Sequence, residues 1–125
     1  MEKLARQYKL GIAQYFDEAY SSATYNAALA SKIDSLVAHL NHLDPVRVNL
    51  QVVHVGLDTP EMAALLDLNT FGLPDMSKNR EAELQALLSP AFRDAVQRHN
   101  LKLMTYRDLI TATGLAKMQR PQQFQ

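Results

Sequence analysis

The sequence predicts a predominantly helical α+β fold, with the element order α-α-β-α-α-β-α and a small parallel sheet. Over most of the chain, apolar residues recur at steps of three and four, as they do on one face of a helix. The stretch Val46–Val52 instead alternates apolar and polar residues, as in a strand with one buried face. The chain has 125 residues, 47% of them hydrophobic, which predicts a single globular domain over residues 1–120 and a flexible tail over 121–125.

The first two elements are predicted helices. In Leu4–Tyr20 the larger apolar residues lie on one stripe, and Ser21 and Ser22 then offer a break and a new N-cap. The second helix, Ala23–Leu40, is rich in alanine, and its predicted inner face carries Leu29, Ile33, Leu36, Val37 and Leu40. The short connection predicts an antiparallel helical hairpin.

The central element is a strand predicted over Val46–Val55, after Asp44-Pro45 ends the second helix. Its buried face is expected to consist of four residues: Val46, Val48, Leu50 and Val52. Gly56 closes the strand. A helix capped by Asp58 or Thr59, with Pro60 in its first turn, then runs toward Leu68.

The second half is predicted as helix, strand and helix. After a loop over Asn69–Met76, Ser77 caps a helix that Ser89-Pro90 restarts as a second segment. Leu101–Met104 is predicted as the second strand. The last helix, Tyr106–Thr113, follows with Thr105 and Asp108 as a capping box and Gly114 as its C-cap.

Two strands joined through helices lie parallel by a right-handed crossover. Two strands alone make a poor sheet, because each leaves one edge of unpaired backbone groups. Either a third strand escapes the sequence pattern or a partner chain completes the sheet. This gap indicates that the chain works in an assembly.

Composition excludes several classes of function. Thirteen Lys and Arg balance thirteen Asp and Glu, so no overall charge directs the chain to nucleic acid or to membranes. Cysteine is absent from the sequence, which excludes disulfides and thiol chemistry. The first residues, Met1–Arg6, do not resemble a signal peptide, and no stretch is apolar enough to cross a membrane. We therefore expect a cytoplasmic protein.

Motifs for catalysis, metals or cofactors are not evident. His39 and His42 stand three residues apart with Asp44 close behind, but histidines in a last helical turn also interact favourably with the helix dipole. We expect neither a metal nor a cofactor. A small ligand could bind near Gly56, Asp58 and Thr105, beyond the predicted strand ends, although capping already accounts for Asp58.

A basic surplus in the last third allows a nucleic-acid-binding alternative. The residues concerned are Arg93, Arg98, Lys102, Arg107, Lys117 and Arg120. In the same third of the chain, Arg107–Met118 has the outline of a helix-turn-helix. However, Pro121 makes the second helix of this outline too short to read a DNA groove well.

Protein–protein interaction is the favoured function: a non-enzymatic subunit, adaptor or regulator that binds another chain or a second copy of itself. The incomplete sheet supports it. Aromatic residues concentrated in the first helix also support it, because tyrosine is common at protein interfaces, and they include Tyr8, Tyr15 and Phe16. An enzyme or a ligand sensor is the remaining alternative.

Overall fold

A computed structural model describes residues 2–9, 18–66, 68–70 and 72–114. About half of these residues are helical, and two short strands form a parallel sheet, which confirms a predominantly helical α+β fold. In chain order the elements are α1 (Glu2–Gln7), β1 (Ala19–Ser21), a 3₁₀ turn (Leu29–Ser31), α2 (Lys32–Leu40), β2 (Asn49–Gln51), α3 (Pro60–Ala63), α4 (Met76–Leu88), α5 (Pro90–Arg98) and α6 (Tyr106–Thr113).

The chain divides into two compact units, each assembled from separate stretches of sequence. The first comprises Met1–Tyr20, Asp44–Leu50 and Lys102–Gln125, and the second comprises Ser21–Leu43 and Gln51–Leu101. Helices α1 and α6 therefore belong to the first unit, and α2 to α5 belong to the second.

The core of the second unit forms around α2, which packs against α4 and α5, while α3 packs against α4. Leu36 and Leu40 of α2 are buried, as are Ala86 of α4 and Ala95 of α5. In the first unit, Ala5 of α1 and Leu109 of α6 are buried.

Local capping follows the sequence at α6, whereas the predicted cap Ser77 is wrong, because α4 begins at Met76 with Asp75 at its N-cap position. The Thr105 hydroxyl accepts from the Asp108 N–H at 3.2 Å, and the Asp108 carboxylate accepts from the Thr105 N–H at 2.8 Å. This confirms the predicted capping box of α6, and its bonds to Thr105 hold the pKa of Asp108 below its usual value. A second helix starts at Ser89-Pro90 as predicted, and Ser89 caps it by accepting from the Phe92 N–H at 3.1 Å.

The sheet pairs β2 with a strand that the sequence pattern did not predict. Ala19 N–H donates to the Val48 carbonyl and Val52 N–H donates to the Ser21 carbonyl, both at 2.8 Å. The predicted first helix, Leu4–Tyr20, is therefore wrong at its end, because strand pairing there outweighs the helical spacing. Its described N-terminal part is helical only over Glu2–Gln7, and Lys9 has a φ of 54°.

The predicted strand Val46–Val55 is shortened to Asn49–Gln51, and its start is wrong for a local reason. The Asp44 carboxylate accepts from the N–H groups of Val46 and Arg47, at 2.9 and 3.2 Å. This Asx turn takes both N–H groups away from any strand pairing. Val46 is consequently exposed, whereas three of the four residues predicted for the buried face are half-buried: Val48, Leu50 and Val52.

The predicted strand Leu101–Met104 does not form. Asn100 has a φ of 51°, and its N–H donates to the Gln97 carbonyl, while Leu101 N–H donates to the Val96 carbonyl, each at 3.0 Å. These two bonds form a Schellman motif that ends α5. The Leu101 N–H is thus used by the helix end and is lost to a sheet.

Two predicted helices are also shorter than expected. Helix α2 begins at Lys32 rather than Ala23, because polar side chains engage the carbonyls of the preceding turn; Ser35 Oγ, for example, donates to the Ala23 carbonyl at 3.0 Å. Helix α3 ends at Ala63 instead of continuing toward Leu68.

Candidate functional site

A polar cluster in the second unit consists of the buried residues Thr24, Lys32 and Glu83, which the backbone N–H of the exposed His54 joins. Lys32 and Glu83 are only 1% and 3% exposed, and Thr24 is fully buried. Lys32 Nζ donates to the carbonyls of Thr24 and Tyr25 at 2.7 and 2.9 Å. The same ammonium group lies 3.7 Å from Glu83 Oε1.

Helices α2 and α4 position the two charges. Lys32 is the first residue of α2 and lies four and eight residues before Leu36 and Leu40, on the same buried stripe. Glu83 lies three residues before the fully buried Ala86, on the inner face of α4. The ammonium and the carboxylate are therefore set into the core by the same periodicity that places its apolar residues.

Both oxygens of the Glu83 carboxylate are engaged. Oε1 accepts from the Thr24 hydroxyl at 3.0 Å, and Oε2 accepts from the backbone N–H of His54. Burial lowers the pKa of Lys32, and the neighbouring Glu83 carboxylate opposes that shift. The Lys32–Glu83 cluster therefore ties four parts of the chain together: the turn at Thr24, α2, the segment after β2 and α4.

A shallow pocket borders the cluster where the imidazole of His54 reaches solvent. His54 Nδ1 lies 3.9 Å from Glu83 Oε2, and its ring meets that of Tyr25 edge to face, with centroids 5.5 Å apart. The other lining residues are Leu73, Met76, Asn79 and Arg80. Asn79 and Arg80 already make polar contacts within the chain. Arg80 donates to Met62 Sδ at 3.0 Å, and Asn79 donates to the Pro74 carbonyl at 3.0 Å.

The sequence pattern does not indicate this cluster as a whole. One signal was available: Lys32 falls on the helical stripe of Leu36 and Leu40, where a charge requires a buried partner. The sequence pattern does not indicate which residue is that partner, because Glu83 is remote from Lys32 in sequence.

The histidine pair lies at the end of α2, where the sequence placed it. His39 is half-buried in the last turn of the helix, and His42 is exposed just beyond it. Within the described ranges, no three His, Asp or Glu side chains come together as a metal site would require. Burial lowers the pKa of His39, and the charge of His42 lowers it further.

This lowered pKa predicts a loss of stability on acidification. Because the folded state disfavours protonated His39, the unfolded state takes up the proton first as the pH falls below 6.5, the ordinary histidine value. We expect the free energy of unfolding to fall between pH 6.5 and the lowered pKa, and to fall less in His39→Gln. Urea unfolding of both proteins across this range measures the difference, and parallel pH profiles would contradict the prediction.

The residues of the predicted ligand site lie in different units, Gly56 and Asp58 in the second and Thr105 in the first. Thr59, not Asp58, caps α3, accepting from the Met62 N–H at 3.3 Å. Gly56 is explained by packing, since a Cβ there would lie 3.2 Å from Met62 Cε. Packing thus accounts for Gly56 and capping for Thr105, whereas the predicted capping role of Asp58 falls to Thr59. A ligand site near these residues remains a prediction.

The basic residues of the nucleic-acid alternative are only partly described. Arg93 and Arg98 are exposed on α5 in the second unit, and Lys102 and Arg107 are exposed in the first unit. Lys117 and Arg120 lie outside the described residues. Helix α6 and Gly114 provide the first half of the helix-turn-helix outline, and the predicted second helix lies outside the described ranges.

Of the three aromatic residues predicted to contact a partner, the structure describes one. Tyr8 is exposed in the turn that follows α1, and Tyr15 and Phe16 lie outside the described residues. Among the helices that the structure describes, none has the length and apolarity needed to cross a membrane.

The outer edge of β2 is the surface that bears on the predicted assembly. In a parallel sheet, the backbone N–H and C=O groups of successive residues of a strand point to opposite sides of that strand. The backbone groups of Leu50 therefore point toward β1, and those of Asn49 and Gln51 point away from β1. No third strand pairs with these groups among the described residues. We call the outward N–H and C=O groups of Asn49 and Gln51 the β2 edge.

Comparisons of the chain with protein-family models, with curated proteins and with solved structures found no match.

Proposed function

We propose that this protein is a cytoplasmic, non-enzymatic interaction module, a subunit, adaptor or regulator of a larger assembly. Its β2 edge would pair with an extended segment of another chain. The simplest such chain is a second copy of this protein. The observation that carries this proposal is the two-stranded sheet, whose β2 edge has no strand beside it in the described part of the chain.

Backbone chemistry supports strand addition at this position. The β2 edge offers two N–H donors and two carbonyl acceptors in the spacing of a strand, the arrangement that an added strand recognises. Strands of three residues, as β1 and β2 are, gain little stability from pairing only with each other. A further strand would bring the sheet to a size that folds stably.

The usual protections of an open edge are weak here. A charged side chain on an edge strand discourages pairing, and Arg47 is the charged residue nearest to β2 in sequence. Its guanidinium is turned toward β1, where Nη2 donates to the Glu18 carbonyl at 3.0 Å. Arg47 therefore does not guard the β2 edge.

Gln51→Pro tests the proposal. Proline removes the outward N–H of Gln51 and spares the bonds of β2 to β1, so the fold tolerates it while pairing at the β2 edge is blocked. We expect the wild type to dimerise as its concentration rises into the high micromolar range, with slowed hydrogen exchange at Asn49 and Gln51. Light scattering coupled to size exclusion should find Gln51→Pro monomeric.

Gln51→Ala is the matched control, because it removes the same side chain and keeps the backbone N–H. It should dimerise like the wild type. A monomeric wild type in which the Asn49 and Gln51 amides are nevertheless protected would show that the edge is covered within the chain, and would contradict the proposal. If the wild type is monomeric and those amides exchange freely, a partner captured by Gln51→Ala and lost by Gln51→Pro would support pairing with a different protein.

A further inference from the structure

The segment between Val55 and Leu68 exposes an unusual amount of apolar surface. Leu66 and Leu68 are 74% and 90% exposed, and three further large apolar residues are at least half exposed: Val55, Leu57 and Leu65. We call this stretch the leucine segment. Exposed leucines concentrated in so short a stretch are typical of a surface that another molecule covers.

The middle of the leucine segment is held in place by the second unit. Thr59 caps α3, which packs against α4, and Pro60 stands in the first turn. Met62 is half-buried, and its sulfur accepts from Arg80 Nη1 at 3.0 Å. Met62 therefore anchors α3 to α4, while leucines on either side of that helix remain in solvent.

The charged residues within the leucine segment and the loop that follows it are all acidic, although Arg80 of α4 lies against Met62. From Val55 to Ser77 the sequence contains four acidic residues and no basic one; the acids are Asp58, Glu61, Asp67 and Asp75. Asp75 is compensated by Lys78 at 3.6 Å. Asp58 and Glu61 are exposed, and bonds from the Glu61 N–H and the Thr59 hydroxyl hold the pKa of Glu61 below its usual value, which keeps it charged.

We propose that the leucine segment binds a basic, leucine-rich helical segment of a partner protein, with Asp58 and Glu61 facing its Lys or Arg side chains. An acidic border attracts a basic partner and repels the anionic surface of a membrane. The same surface of a second copy offers less, because it carries the same acidic charge. The proposal concerns a surface other than the β2 edge.

Fluorescence anisotropy tests it with a labelled synthetic peptide of leucine and lysine, in which the leucines recur at helical spacing. The folded full-length protein should bind this peptide, and added salt should weaken binding. Leu66→Ser/Leu68→Ser should raise the Kd about tenfold or more, since the variant loses the apolar area of two leucines. Asp58→Asn/Glu61→Gln should raise it several-fold.

Two matched variants control for surface exposure and charge. Leu88→Ser removes another exposed leucine, 61% accessible on α4, and should leave the Kd unchanged. Asp34→Asn/Asp94→Asn removes the same charge from exposed positions on α2 and α5, and should also bind normally. Equal losses in the test variants and these controls would overturn the proposal.

Three further results would also overturn it: no binding of the basic peptide, equally tight binding of a peptide with glutamate in place of every lysine, or a dimer that the Leu66→Ser/Leu68→Ser variant converts to monomer. The last would assign the surface to a second copy. Gln51→Pro separates this proposal from the one for the β2 edge, because that variant should bind the peptide with wild-type affinity.

Discussion

Replacing Glu83 with alanine should destabilise the protein by about 3–5 kcal/mol, the cost of removing one member of a buried ion pair. The change leaves the ammonium of Lys32 in the core without its carboxylate. It also removes the acceptor for the Thr24 hydroxyl and for the His54 N–H. Urea unfolding followed by circular dichroism measures the loss.

Glu81→Ala is the control for this prediction. Glu81 lies on the same helix, α4, and is half-buried, but it has no part in the Lys32–Glu83 cluster. It should change the free energy of unfolding by less than about 0.5 kcal/mol, as is usual for substitutions away from such clusters. Similar effects of the two substitutions would show that Glu83 is not a buried partner of Lys32.

The double variant Lys32→Met/Glu83→Leu separates the cost of an unpaired charge from the value of the pair. It removes both charges and keeps most of the side-chain volume. We expect it to be more stable than Glu83→Ala, because no charge remains buried without a partner. A double variant as unstable as the single one would mean that the bonds of Glu83 to Thr24 and His54 matter more than its charge.

The sequence predicted helices and caps where the controlling contacts are local. Thr105 and Asp108 are three residues apart, and so are Ser89 and the N–H group it caps, so their bonds require only the helix itself. The same holds for the stripe of Leu36 and Leu40. Such features are fixed by the helical repeat and do not depend on the rest of the fold.

Features that depend on distant residues could not be predicted in this way. The bond between Thr24 and Glu83 joins residues 59 positions apart, and no local pattern indicates it. Ala19–Ser21 becomes a strand because β2 pairs with it, although its spacing suited a helix. The Asx turn at Asp44 and the Schellman motif at Asn100 are local, but several structures compete for those residues and the sequence pattern favoured strands.

Leu36→Ala should cost about 2–5 kcal/mol, the range for truncating a fully buried leucine. Leu36 is 1% exposed on α2, the helix that packs against both α4 and α5. The truncation would leave a cavity beside α2, because the surrounding helices relax only in part. Urea unfolding should show a lower midpoint with an unchanged slope.

Ile33→Ala on the same helix provides the comparison that decides between the two interpretations of α2. The sequence pattern places Ile33 on the inner face with Leu36, whereas the structure leaves it 36% exposed and puts Lys32 inside. If the buried stripe runs through Lys32, Leu36 and Leu40, truncating Ile33 should cost clearly less than truncating Leu36, since part of its apolar surface already meets water. An equal or larger loss in Ile33→Ala would mean that α2 is rotated about its axis, with Lys32 turned toward solvent and the buried ion pair absent.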